Sequence, residues 1–365
     1  MWSKITSAIQ CKEFDDVILK MSRVALPVSL LWMLFDVSYF VRTAVLGCVC
    51  ALTHTREPPG PFAEQVYSGI CLSTDLDYML HMNNGRYLRE CDFARFHYCC
   101  HSHMREVLKK MGASYVVKAN NIRYRRSIHF LERFRTHTKL VYWDDRNFYL
   151  QQLMIRTSDN FICAVNYSAH TVLTTTNVQP QDVLNSLYGH IERPPAPPEV
   201  AAWIHSTELS SKALRRSICL TTDLDFMLHM NNGRYLRECD FARFNFWFRS
   251  HLYAALGRLH ASITNKANNI RYRRSIEFLQ RFHTHTKLVY WDKRNFYLEQ
   301  KMIRTSDNFI CAVNYTCQTV SPASVKPQDV LDSLYGHVDC PPAPPEIAAW
   351  IQSTELSSQA LRRSE

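Results

Sequence analysis

Two short segments of this chain carry residue types that act on a polarised carbonyl. The first reads Asp75-Leu-Asp77-Tyr-Met-Leu-His81-Met-Asn83-Asn84, and the second Asp223-Leu-Asp225-Phe-Met-Leu-His229-Met-Asn231-Asn232. A carboxylate can attack a carbonyl or activate a water for that attack. The same chemistry needs hydrogen-bond donors where the oxyanion forms. Paired asparagines can cap a helix, and a helix N-terminus offers free N–H groups and a partial positive charge. Asp77 lies six residues before Asn83, so it can face that terminus, and Asp225 stands in the same relation to Asn231.

The elements that must position these residues occur twice. Residues 70–168 return as 218–316 at an offset of 148, with 74 of 99 positions identical. The offset then falls to 147, so that Trp203 matches Trp350. A period this long marks a duplicated domain rather than a solenoid. Sixteen of the 25 substitutions fall in 97–117 against 245–265. Within one repeat, a helix of about 28 residues is expected from Asn83 to Gly112. Strands are expected over Asn121–Ile128, Phe134–Trp143, Phe148–Arg156 and Phe161–Leu173, joined by short turns as an antiparallel meander. Helical stretches over Gln179–Gly189 and Pro198–Leu214 follow, separated by the proline-rich Pro194–Pro198.

One long helix covered by a curved five-stranded sheet is the hot-dog arrangement, an α+β fold. The expected organisation is an N-terminal region (1–61), hot-dog domain 1 (62–178) and its C-terminal helices (179–217). Hot-dog domain 2 (218–325) and its helices (326–365) follow. The second copy starts at Ile218 without a linker and lacks a counterpart of Gln65–Gly69, so a short first strand is expected there.

Composition narrows the classes. At 46% apolar and 21% charged residues the chain is globular. A mean hydropathy of −0.25 excludes a multi-pass membrane protein. The formal charge of +10 is dispersed, without basic blocks. An anionic surface or a phosphorylated ligand is therefore favoured, and no nucleic-acid partner is expected. Thirteen cysteines without a C-x-x-C pair read as buried free thiols in a reducing compartment. His97, His101 and His103 resemble a metal cluster by composition, but Asn245 and Arg249 replace the first two in the second copy. No metal or cofactor is expected. The absence of a P-loop, a G-x-G-x-x-G and a G-x-S-x-G motif sets aside nucleotide-driven and serine-hydrolase chemistry.

Near the N-terminus, Val24–Val41 is apolar apart from Asp36, Arg42 closes it, and Ala44–Leu52 is a second apolar run. A membrane anchor over about 24–41 is read ahead of a cleaved signal peptide and a soluble amphipathic helix. A linker, His54–Pro61, follows. Asn166 and Asn314 begin glycosylation patterns but lie in expected strands. The positive-inside rule weakly favours lumenal domains, whereas the thiols favour the cytosol. The expectation is cytosol-facing domains on an internal membrane such as the endoplasmic reticulum, with neither asparagine modified. A signal peptide would instead make the protein secreted or lumenal.

The segment from Asp75 to Arg95 resembles the 4-hydroxybenzoyl-CoA thioesterase-like branch of hot-dog enzymes. Asp77, His81, Asn83, Asn84, Tyr87, Asp92, Ala94 and Arg95 match its pattern in register. The closer resemblance is to the thioesterase superfamily member six family, through Phe35-Asp-Val-Ser-Tyr-Phe-Val-Arg42, the asparagine-entry segment and Trp143–Leu150. The resemblance implies hydrolysis of an acyl thioester to a free acid and CoA, with acyl-CoA or another acyl thioester as substrate. It puts the catalytic carboxylates at Asp77 and Asp225, with His81, His229, Asn83 and Asn231 completing the sites. As near copies, the two sites are expected to carry about half of the activity each. Arg123, Arg125, Arg271 and Arg273 are candidates for CoA phosphate contacts. It also implies that the repeats pair as an intramolecular pseudo-dimer. One departure stands out. The enzyme pattern has glycine before the histidine, and this chain has Leu80 and Leu228. Leucine there is expected to obstruct the oxyanion site, which favours the alternative of a non-catalytic acyl-lipid-binding or scaffold protein.

Overall fold

The computed structural model describes residues 37–53, 58–77, 79–174, 178–204, 214–225 and 227–362. Ten strands form one antiparallel sheet. The first repeat supplies β1 (Gln65–Ile70), β2 (Ala113–Tyr124), β3 (Arg133–Trp143), β4 (Asn147–Arg156) and β5 (Ile162–Thr174). The second supplies β6 (Leu214–Ile218), β7 (Ser262–Tyr272), β8 (Arg281–Trp291), β9 (Asn295–Arg304) and β10 (Ile310–Ser321). The order is β1-β3-β4-β5-β2-β7-β10-β9-β8-β6. Two five-stranded halves are thus joined where β2 pairs with β7, with Asn121 opposite Asn269. The tandem hot-dog arrangement and its internal pairing are both present.

Strand formation follows the two-residue alternation of the sequence. In β3, Phe134, Thr136, Thr138 and Leu140 are buried while the intervening residues face outward. β2 starts eight residues earlier than expected and ends at Tyr124, before the Arg125–Ser127 turn. Its first half pairs with the end of β5, from Ala113 opposite Thr174.

The expected single long helix is two helices. Asn84–His101 (α2) and Met104–Lys110 (α3) are separated by His103 at φ 60°. In the second repeat, Asn232–Arg249 (α6) and Leu252–Arg258 (α7) are separated by His251 at φ 57°. A left-handed residue ends the helical hydrogen-bond ladder and redirects the chain. The N-termini of α2 and α6 meet at the centre of the molecule. A Cβ on Gly85 would lie 2.3 Å from the carbonyl oxygen of Gly233, and the reverse contact is the same. Only glycine permits that approach.

The opposite face of the sheet is covered by C-terminal helices, Pro198–Ile204 (α5) and Pro345–Arg362 (α9). Each packs on the strands of its own repeat and reaches the other through its tryptophan. Trp203 Nε1 donates to Asn269 Oδ1 at 3.0 Å, and Trp350 Nε1 to Asn121 Oδ1 at 2.9 Å. Pro180–Tyr188 (α4) and Pro327–Tyr335 (α8) close the two ends of the core.

Residues 24–36 of the expected anchor lie outside the described residues. Val37–Leu52 forms one helix, α1, which merges the end of that segment with the second apolar run. It packs on α2 through Tyr39, Leu46 and Cys50 around Phe93. Arg42, expected to close a membrane segment, instead grips Glu90 with both guanidinium nitrogens, at 2.6 and 2.7 Å. Among the described residues no helix is long and apolar enough to cross a membrane. Residues 214–217 precede the expected start of the second domain, yet they are hydrogen-bonded to β8 as part of β6.

Candidate active site

Each candidate carboxylate is held by a tight turn. Asp77 Oδ1 accepts hydrogen bonds from the N–H groups of Met79 (2.9 Å) and His81 (3.3 Å), and the Asp77 N–H donates to the His81 carbonyl at 2.8 Å. Asp225 repeats this with Met227 (2.9 Å), His229 (3.2 Å) and the His229 carbonyl (2.8 Å). The turn delivers the chain into the capped helix. Asn83 Oδ1 accepts from Gly85 N–H at 2.9 Å, and Asn231 Oδ1 from Gly233 N–H at 3.0 Å.

The turn explains the glycine of the enzyme pattern. Leu80 sits at φ 60° and Leu228 at φ 59°, in the left-handed region that glycine adopts without strain. Both leucine side chains are exposed, by 69% and 66%. They point to solvent and do not cover the helix terminus, contrary to the expected obstruction.

The sites are shared between repeats. Asn231 and Asn232 donate through Nδ2 to Asp92 of α2, at 3.3 and 3.4 Å. Reciprocally, Asn83 Nδ2 donates to Asp240 of α6 at 3.5 Å. Asp92 and Asp240 also form the short-range ion pairs with Arg95 and Arg243 that their spacing suggests. Their second role, facing the other repeat's helix terminus, has no local signature; the acidic position of the family pattern was its only signal. Tyr124 and Tyr272 support the entry by donating to the carbonyls of Asn84 and Asn232, both at 3.1 Å.

The two sites are not equal. The Tyr39 hydroxyl of α1 bonds to the Asn231 side chain and lies in the field of Asp92 and Asp225. Burial pushes its pKa upward, so the hydroxyl stays protonated. Asn231 is buried, whereas Asn83 is half-buried. Burial also raises the Asp225 pKa above its ordinary value; Asp92 adds to the rise, and the turn N–H groups and His229 oppose it. At the first site the His81 and His129 rings meet edge to face at 4.8 Å. At the second, Glu277 replaces His129 and bridges to His229 through the backbone.

The candidate phosphate-binding arginines are not brought to either turn. Arg123 shares the sheet face of Asn121 and donates to Ser358 Oγ and the Thr354 carbonyl of α9. Arg271 has the same parity in β7 as Asn269, which faces α5. Arg125 and Arg273 lie over the rings of Phe161 and Phe309, at 4.9 and 5.1 Å. Among the described residues no group of three metal-donor side chains forms a site. His97 and His101 stack at 4.2 Å, and burial beside His101 pushes the His97 pKa down to about 4. Asn166 and Asn314 are buried and donate to neighbouring side-chain oxygens.

This architecture has recognisable relatives. The profile of the Thioesterase-like superfamily matches residues 71–204 and again 219–351. The chain belongs to the thioesterase-like superfamily. Among its relatives in that superfamily, Protein THEM6 of Xenopus laevis is 38% identical over 191 residues, covering 52% of this chain and 89% of the relative. Protein THEM6 of Danio rerio is 46% identical over 144 residues, covering 39% and 70%. In fold, this superfamily member resembles the 12:0-ACP thioesterase of Umbellularia californica, with a TM-score of 0.56 at 10% identity, over 71% of this chain and 94% of that one. An acyl-ACP thioesterase of Bacteroides thetaiotaomicron gives a TM-score of 0.50 at 13% identity, over 70% and 97%.

Proposed function

We propose that the chain hydrolyses an acyl thioester, releasing a free acid and CoA or another thiol carrier, and that the Asp225 site carries most of this activity. The observation that carries the proposal is a carboxylate fixed by a turn beside a capped helix N-terminus and completed by a carboxylate of the other repeat. In this reading Asp225 attacks the thioester carbon or takes a proton from the attacking water. With Asp225 as base, the carbon–sulfur bond breaks and the thiol leaves with the proton taken from water; with Asp225 as nucleophile, the thiolate leaves and takes a proton from water, and a second water hydrolyses the acyl-aspartate anhydride to the free acid. The first turn of α6, with its partial positive charge, faces the oxyanion. Tyr39 fixes Asn231, and the surrounding burial strengthens each electrostatic contact.

An acyl chain suits the rim of each site. Met227 and Leu228 on one loop and Phe278 and Leu279 on the next are exposed beside the His229–Glu277 bridge. Met79, Leu80, Phe130 and Leu131 repeat the pattern at the first site. The test is hydrolysis of a panel of acyl-CoA and acyl-ACP thioesters by the wild-type chain and by Asp77→Asn with Asp225→Asn. Turnover by the wild type that disappears in the double variant supports the proposal. Full turnover in the double variant removes both aspartates from the mechanism. Saturable acyl-CoA binding without turnover supports the alternative of an acyl-lipid-binding protein.

The N-terminal apolar segment is proposed to anchor the chain to an internal membrane, the endoplasmic reticulum, with the domains facing the cytosol. The described cysteines are all free thiols, and the buried Asn166 and Asn314 leave no room for a glycan. A mobility shift after enzymatic removal of N-glycans would refute this orientation.

A further inference from the structure

Among the described residues, no helix fills in the second repeat the groove that α1 fills in the first. In the first repeat, α1 lies between α2 and β1, and Phe93 beneath it is only 2% exposed. The equivalent Phe241 is 47% exposed. Between α6 and β6 there is a cleft of about 540 Å³ lined by Arg215, Arg216, Asn245 and Arg249. The corresponding residues of the first repeat are Tyr67, Ser68, His97 and His101. Beside the cleft, Phe248 and Tyr253 are exposed and their rings lie 5.0 Å apart, where the first repeat has Cys100 and Arg105. Substitutions at these positions give the second repeat an arginine-lined cleft with an aromatic ridge.

The occupant is not a second α1. Arg42 of α1 docks by pairing with Glu90, and in the second repeat Arg215 already pairs with Glu238 at 2.6 Å. Another α1 would bring Arg42 against Arg215. The charge calls for an anion, and the exposed aromatic rings call for an apolar phase beside it. A lipid surface supplies both in one layer, anionic headgroups over an apolar interior.

We propose that this face of α6 rests on an anionic phospholipid surface, with Arg216 and Arg249 meeting the headgroups and Phe241, Phe248 and Tyr253 entering the interface. The inference stands independently of the hydrolytic reading. The full chain is tested on phosphatidylcholine vesicles with and without phosphatidylserine. An N-terminal anchor and its basic flank contribute alike to wild type and variant, so the change in the ratio of the two affinities on substitution isolates this face. Arg216→Gln with Arg249→Gln is expected to lower affinity for the anionic vesicles about thirtyfold, at about fivefold per basic side chain, and to leave neutral vesicles unchanged. Phe248→Trp keeps the arginines, and its fluorescence should be quenched by brominated acyl chains beyond the wild-type signal. Three results overturn the proposal: an arginine-independent affinity ratio, no added quenching, or the Phe248→Trp signal responding to CoA or an acidic peptide but not to vesicles. A change of oligomeric state on Phe248→Ser without lipid would assign the face to a second copy instead.

Discussion

The two repeats solve one problem in two ways. Each central helix carries a buried glutamate, Glu90 in α2 and Glu238 in α6. Glu238 is satisfied from within its own domain, by Arg215 and by Ser217 Oγ at 3.0 Å. The first repeat has Tyr67 and Gly69 at those places, and Glu90 takes its cation from Arg42 of α1. The first repeat therefore depends on an added helix, and that helix reaches past it to enclose the site of the second. Sequence near-identity between the copies thus conceals two different environments for the same aspartate turn.

The largest expected effect separates the sites. If Asp225 is the working carboxylate, Asp225→Asn lowers turnover at its site by about 10²- to 10⁴-fold. The chain as a whole should then lose far more than half of its activity, while Asp77→Asn should remove less than half. Equal losses in steady-state assays would show that α1 confers no functional difference, as the near-identity of the copies predicts.

The next effect concerns the helix itself. Arg42→Ala leaves the fully buried Glu90 without its cation, a loss of about 3 kcal/mol for a buried pair broken on one side. Burial already pushes the Glu90 pKa up, and Arg42 is the main influence pulling it back. Denaturant unfolding and limited proteolysis should show α1 released, with activity at the Asp225 site falling too. Arg215→Ala should instead destabilise the second domain and leave α1 docked.

A smaller effect tests the contact across the repeats. The raised Asp225 pKa means that the reactive carboxylate forms only above the ordinary aspartate range near 3.9. The activity profile should therefore have an acid limb above that range. The sign for stability is opposite: a raised folded-state pKa contributes stability below the unfolded pKa, and this is lost as pH rises through the folded value. Asp92→Asn removes a like charge, so the acid limb of kcat/KM should move to lower pH by less than about one unit. An unmoved limb would disconnect Asp92 from the reacting carboxylate.

How much of this was legible follows from the range of the signals involved. The strands β3, β4 and β5 and the Asp77–Asn83 turn are local patterns, found where alternation or capping placed them, whereas β2 begins eight residues before its expected start. The helix break was not legible, because Ser102-His103 carries no breaker residue and its left-handed turn is imposed by packing. Arg42 was visible as a charge at the end of an apolar run, but its partner lies 48 residues away. The Asn231–Asp92 contact spans 139 residues. Such pairings depend on how the repeats dock, which neither periodicity nor spacing within one repeat encodes.

The smallest expected effect is also the control for the comparison. Leu80 and Leu228 occupy the same left-handed turn position, with side chains that bury little apolar surface. Leu→Gly at either relieves a strain of about 1 kcal/mol and adds a similar entropy to the unfolded chain. Each substitution should thus change stability by no more than about 0.5 kcal/mol, and by the same amount in both repeats. Thermal unfolding of the two single variants measures this directly. Matching values would confine the difference between the repeats to α1 and the groove it fills. Unequal values would place part of that difference in the aspartate turns themselves, and the proposed ranking of Asp225 over Asp77 would then need no contribution from Tyr39.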